Sequence, residues 1–192
     1  MKPINVNEKI IAFHSEDEKP YGCFSNWYKR DFCVIDPDDD PDQEPVTYNC
    51  MEQYMVHQKA LLFGDQETAD KIMEATDPGE IKALGRQVKN FNSKVWDGYK
   101  IMIVKSGLWN KFVQHPDLAD ILLSTGDAIL AEGAAGDKIW GTGLNNKNTE
   151  ATPVSEWPGQ NNLGWLLMQV RDDIAKWREW GILSPHYQGI KL

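Results

Sequence analysis

Apolar residues recur at three- and four-residue spacing along most of this chain, and that period predicts a fold dominated by helices. Met51, Tyr54, Met55, Gln58 and Leu62 fall near one stripe of a helix over 50–63, with Asn49 placed to cap it. Asp65 opens a second helix over 65–75. Asp77 opens a third, with Pro78 at the first helical position, where a missing N–H costs no intrahelical bond. Ser93 or Asp97 begins a longer helix ending near Gln114, with Trp96, Tyr99, Ile103 and Leu108 expected inward. A short helix over 117–123 follows, and Leu163, Leu166, Leu167, Val170 and Ile174 give the apolar stripe of a last strong helix capped by Asn162. Strand-like runs are few and brief, at 10–13, 32–35, 128–131 and 138–140, and 21–27 reads as a turn. The expected class is therefore α+β, a single helix-dominated domain over 1–192 with a few short strands.

Within that domain three segments stand apart. Residues 36–45 form an acidic, proline-broken loop; its alternating Asp resemble a calcium loop, but Pro41 stands where the sharp turn needs glycine, so a solvated insertion is expected. Residues 145–157 are polar and turn-rich, the pattern of a surface loop. Residues 175–192 carry Trp177, Trp180 and Tyr187, which predicts a docked C-terminal extension.

Composition adds exclusions. With 192 residues, 41% hydrophobic and 26% charged, the chain can bury a full core. No apolar run nears the roughly 20 residues of a membrane span, and no basic-then-apolar leader is visible. Cys23, Cys33 and Cys50 are odd in number and irregularly spaced, which points to thiols in a reducing, cytoplasmic setting. The net charge of -9 argues against a broad basic nucleic-acid surface. Yet between Ile81 and Lys111 seven basic residues (Lys82, Arg86, Lys89, Lys94, Lys100, Lys105, Lys111) face one acid, Asp97, so this segment is +6 and the rest -15. That fits a small phosphorylated ligand or one short polyanion contact, or else a solvated helix face. Arg86, after Leu84-Gly85, is the residue whose guanidinium fork suits phosphate.

The chemistry concentrates on one helix. Glu52 and Lys59 are seven residues apart, hence nearly at one azimuth and roughly 10 Å apart along the axis, too far to pair directly but suited to flanking a sugar ring. A lysine among Met55, Val56, Leu62 and Phe63 loses its proton more readily than one in water, which makes it a nucleophile; the plain alternative is a snorkelling surface lysine. Elsewhere Thr125-Gly-Asp127, Asp137 and Trp140-Gly-Thr-Gly143 place carboxylates beside glycines and an aromatic, as acid/base or ribose-binding groups or as turn residues. There is no phosphate-binding glycine loop, no Cys-x-x-Cys and no zinc helix, and the four His are scattered, so neither metal nor cofactor is expected.

Phe24-Ser-Asn-Trp27, Glu52-x-Tyr54-x-x-x-Gln58-Lys59, Leu84-Gly-Arg86, Thr125-Gly-Asp127-x-x-Leu130-x-Glu132, Asp137-x-x-Trp140-Gly-x-Gly143 and Gly159-x-Asn161-x-Leu163-Gly164, then Arg171, occur in order. Together they resemble the NADAR superfamily of YbiA-like N-glycosidases over nearly the whole chain. Gln53 stands where a His often follows the Glu, and the loops at 36–45 and 145–157 are longer than the pattern. The resemblance implies cleavage of the bond between ribose C1 and an exocyclic amine of a base. ADP-ribosylated guanine, free or on nucleic acid, is the first substrate implied, and a ribosylaminopyrimidine phosphate of riboflavin synthesis the second. A non-catalytic ADP-ribose-binding module is a third reading. In the enzymatic readings Lys59 forms a Schiff base with the opened sugar, Glu52 moves protons, and Asp137 assists or holds ribose hydroxyls. Asn26, Trp27, Arg86, Asp127, Trp140 and Gly141 line the ligand. Trp27 and Trp140 have core packing as the alternative, Asp127 a turn role, and Arg171 is expected to be structural. No membrane partner is implied, and the oligomeric state stays open.

Overall fold

The computed structural model describes residues 9–35 and 44–182, so most of the acidic loop expected at 36–45 and the last ten residues, including Tyr187, lie outside it. The class is α+β. In order the elements are β1 (Ile10–Phe13), a 3-10 turn (Tyr21–Phe24), β2 (Phe32–Val34), β3 (Val46–Tyr48), α1 (Met51–Leu62), α2 (Gln66–Glu74), α3 (Pro78–Gly85), α4 (Ser93–Gln114), α5 (Pro116–Ser124), β4 (Ile129–Glu132), α6 (Asn146–Ala151), a 3-10 turn (Val154–Glu156) and α7 (Asn162–Glu179). Contacts divide the chain into two compact units, one of residues 26–114 and one of 1–25 with 115–192.

In the unit of 26–114, β2 and β3 pair antiparallel, with Phe32 opposite Tyr48, and α1 to α4 supply most of the rest. Tyr48, Met51, Ile72, Ile81, Leu108 and Phe112 are its large buried side chains. The two short interhelical starts follow the expected chemistry: Asp65 accepts from the Thr68 N–H and Asp77 from the Glu80 N–H. At α1 the expected cap is displaced. Cys50 is the N-cap and its side chain does not cap; instead the Asn26 carbonyl accepts the Glu52 N–H at 2.9 Å. Gln53, buried, accepts the Asn49 N–H and donates to the Ile72 and Ala75 carbonyls, tying the start of α1 to the end of α2.

The long helix α4 buries Leu108 as expected but otherwise turns a different face inward. Trp96 and Ile103 are half-buried and Tyr99 is 47% exposed, while Lys100, Val104, Gly107, Leu108, Lys111 and Phe112 are buried. A Cβ at Gly107 would come within 2.4 Å of the Tyr54 ring, so glycine is what lets α4 pack this closely on α1. Two lysines on the buried face disguised it in the sequence.

In the other unit β1 and β4 are parallel, Ile11 opposite Leu130, with α7 packed on β4. Asn161, fully buried and left-handed at φ 51°, accepts the Glu132 N–H and donates to the Leu130 carbonyl, both at 2.9 Å. The strand expected over 138–140 does not form; those residues are a bend. The polar 145–157 segment contains α6, opened by Asn145 accepting the Asn148 N–H. Trp177 belongs to α7 and is 38% exposed, and Trp180 is 64% exposed. Among the described residues no helix is long and apolar enough to cross a membrane.

Candidate active site

Helix α1 is buried over seven consecutive residues, Met51 to His57, and this all-round burial carries Glu52 inside, at 5% exposure. Lys59, further along the same helix, is half-buried. Its Nζ donates to the Gly85 carbonyl at 2.6 Å and lies 4.3 Å from the centroid of the Phe91 ring. Burial pushes the Lys59 amine below the ordinary lysine value, against the opposing pull of the Glu52 carboxylate. The two groups therefore share one electrostatic environment without a direct pair, as their spacing predicts.

Gly85 explains how a carbonyl reaches the amine. A Cβ there would sit 2.5 Å from a Val56 methyl, so only glycine lets the end of α3 come down onto α1. Arg86 follows as the C-cap of α3 and is exposed. Around the start of α1, Asn26 is 7% exposed, and its Oδ1 is buried without a hydrogen-bond partner. A buried acceptor left open is costly unless a ligand or water donates to it. Trp27 is half-buried, with the Lys82 ammonium 5.7 Å from its ring centroid.

The basic segment is not one solvated face. Lys100 is buried and pairs with Asp97 at 2.6 Å, and Lys89 pairs with Glu67. Lys111 is wholly buried, its Nζ 5.3 Å from the Tyr28 ring centroid. Burial raises the Cys50 thiol above its ordinary value; the Glu52 charge adds to that rise and the Lys111 charge opposes it. A buried cation thus acts at the same end of α1 as the buried carboxylate, which the sequence reading missed.

The candidates in the other unit do different work. Asp137 accepts the Ile139 and Trp140 N–H groups through Oδ1, at 2.9 and 2.8 Å, and so shapes the turn that presents Trp140. Trp140 is half-buried. Gly141 is buried, its carbonyl accepting the Asn161 N–H, and a Cβ there would come 2.9 Å from the Glu132 carbonyl oxygen. Asp127 is exposed and acts on Arg171, whose guanidinium donates to Thr125 Oγ1 and the Ala128 carbonyl. The sequence predicts a structural ion pair for Arg171; its short contacts are to these neutral oxygens, and its ion contact is with Asp172 at 3.8 Å.

Two positions beside Lys59 escaped the sequence reading, Gly85 and Phe91. The signal for Phe91 was present: one aromatic within the polar run Lys89-Asn-Phe-Asn-Ser93. No cluster of three or more His, Cys, Asp or Glu able to hold a metal occurs among the described residues.

The chain is similar to several known proteins. The chain is 40% identical over 168 residues to an N-glycosidase of Acanthamoeba polyphaga mimivirus, spanning 86% of this chain and 96% of that one. It is 32% identical to an N-glycosidase of Nostoc punctiforme, over 81% and 87% of the two chains. The NMR structure of the E. coli protein YbiA superposes with a TM-score of 0.69 at 28% identity, covering 90% of this chain and 88% of that one. The model of the NADAR domain matches residues 12–175, and the chain belongs to that family.

Proposed function

We propose that this protein, an N-glycosidase, hydrolyses the bond between ribose C1 and the exocyclic amine of a base, and that its substrate is ADP-ribosylated guanine. The N-glycosidase activity rests on the family and on the names of its relatives. The observation that carries the mechanism is a half-buried lysine whose amine is depressed by burial while a buried carboxylate acts on it from the same helix.

The exocyclic nitrogen of such a substrate has a lone pair that expels the ring oxygen, giving an open-chain imine. Glu52 takes up a proton from water and passes it to the departing ring oxygen, returning to the carboxylate. The neutral Lys59 amine adds to the imine carbon, the base leaves as its free amine, and the sugar stays as a Schiff base on Nζ. Water, deprotonated by Glu52, adds to that carbon and returns the amine and the sugar aldehyde. The Gly85 carbonyl holds one N–H of the amine and so directs its lone pair. Asn26 Oδ1 takes a sugar hydroxyl as donor, Trp27 flanks the sugar, and Arg86 meets the pyrophosphate. In the other unit Asp137 sets the turn of Trp140, Gly141 follows that turn, and Asp127 stands before β4.

Borohydride trapping decides it. Incubation with ADP-ribosylated guanosine followed by reduction should add the sugar to Lys59, located by peptide mass spectrometry, and release free guanosine. Full turnover by Lys59→Ala without any trapped adduct ends the mechanism. Base release from a ribosylaminopyrimidine phosphate alone would move the substrate to flavin-precursor chemistry, and tight ADP-ribose binding without turnover would leave a binding module.

A further inference from the structure

The proposed reaction leaves the planar base without an assigned place, and the environment of Lys59 supplies one. Phe91 lies with its ring centroid 4.3 Å from Nζ, yet 46% of the residue remains exposed. Apolar rings are left open at some cost, because burying one is favourable. This ring is also held in place. Phe63 meets it at 5.3 Å between centroids and 67° between planes, an edge contact that fixes its tilt. Its loop is anchored at both ends: the Lys89 N–H donates to Asp65 Oδ2 at 2.8 Å, and Asn92 Oδ1 accepts the Lys94 and Val95 N–H groups at the start of α4. Asn90, left-handed at φ 56°, makes the turn that brings Phe91 out.

We infer that Phe91 is the stacking platform for the planar aromatic base released in the reaction, a subsite distinct from Trp27 and resting on the Lys59 mechanism above. The geometry limits the choice. A sugar carbon under attack sits about 3–3.5 Å from the attacking nitrogen. The base is bonded to that carbon through one nitrogen, so its ring cannot be far from Nζ. Stacked rings have centroids about 4.5–7 Å apart, a spacing within reach of a base at that carbon from a ring itself 4.3 Å from Nζ. Stacking accepts any planar base, so this subsite selects for aromaticity and leaves the identity of the base to polar contacts elsewhere.

Two probes separate the base from the sugar. ADP-ribosylated guanosine carries both, whereas ADP-ribose presents the same sugar as a free aldehyde that can form the Lys59 adduct without a base. Phe91→Ala should raise KM for the first about tenfold, while trapping of the second falls at most about twofold; Phe91→Trp should restore the KM. Equal losses with both probes, or an unchanged KM, overturn the subsite. A third measurement does not require turnover. In protein carrying ring-labelled phenylalanine, guanosine monophosphate should shift the Phe91 resonance, and ribose 5-phosphate should not. A shifted Phe91 in a protein that neither cleaves the first probe nor traps the second keeps the subsite and discards the glycosidase mechanism. Turnover with an unmoved Phe91 keeps the mechanism and discards the subsite.

Discussion

Helix α1 and the turn at Asp137 both bring a carboxylate to a place where family resemblance points to catalysis, and they use it in opposite ways. Glu52 is carried into the interior by its helix, and its charge is felt at the Lys59 amine and the Cys50 thiol. Asp137 holds two backbone N–H groups through one oxygen and makes a bend out of residues whose pattern reads as a strand. The same side-chain chemistry is electrostatic machinery in one unit and backbone geometry in the other. The difference lies in what surrounds each group: Glu52 is enclosed by a helix buried on all sides, whereas the loop at Asp137 presents bare N–H groups at once.

Substitutions that keep shape but remove charge test this contrast most sharply. Glu52→Gln should lower kcat by about 10²–10⁴-fold, the usual reach of a general acid and base. It should also move the pH at which the Lys59 amine becomes reactive further down, because Glu52 is the group that raises it. Acylation of Lys59 followed by mass spectrometry across pH reads that midpoint, which already lies below 10.5 in the wild type. Asp137→Asn keeps an oxygen to accept both N–H groups, so kcat should change by only a few fold. If Asp137→Asn costs as much turnover as Glu52→Gln in an equally stable protein, the contrast collapses.

A second pair weighs architecture against chemistry. Asn161→Ala leaves the Leu130 carbonyl and the Glu132 N–H without their partner in a buried place, at about 1–3 kcal/mol each. Urea unfolding should show that loss, with KM unchanged in whatever stays folded. Gly85→Ala forces a Cβ against Val56 and costs about 1–3 kcal/mol as overpacking. In addition it displaces the carbonyl that holds Lys59, so kcat should fall beyond any loss of folded protein. A Gly85→Ala enzyme with normal kcat would remove that carbonyl from the mechanism.

These outcomes also bear on why some of the molecule was legible in sequence and some was not. Helices α2 and α3 announce themselves through Asp65, Asp77 and Pro78, because capping is local chemistry between residues three apart. The Glu52–Lys59 relation is legible for the same reason, being fixed by helical geometry alone. The inward face of α4 was not, since a period count assigns lysine outward, whereas Lys100 is buried with Asp97 one turn before it and Lys111 is buried beside Tyr28, distant in sequence. The bend at 138–140 was hidden because one Asp oxygen outcompeted strand propensity. Phe91 was hidden because its value depends on Lys59 lying beside it, a contact that spans α2 and α3.

The smallest effect separates the face of α1 proposed for catalysis from its structural one. His57, 8% exposed, lies next to Tyr48, whose hydroxyl is 3.0 Å from His57 Nδ1 and receives the Gln58 Nε2–H at 3.3 Å. Burial pushes the Tyr48 hydroxyl up to about 12, so it stays protonated, and the imidazole tautomer decides which of the two groups donates in this contact. Burial likewise holds the His57 imidazole below its ordinary 6.5, with Asp70 opposing. Between 6.5 and that lowered value the unfolded chain binds a proton that the folded one refuses, so stability falls as pH falls through this window and levels off below it. One such proton limits the slope to about 1.4 kcal/mol per pH unit. His57→Gln preserves an acceptor for Tyr48 and removes the titration, so its unfolding free energy between pH 7.5 and 5 should be flatter than that of the wild type. Its Lys59 reactivity profile should stay where it was. A shifted profile would mean that the Tyr48–His57 contact reaches the amine, and the division of α1 into two faces would have to be redrawn.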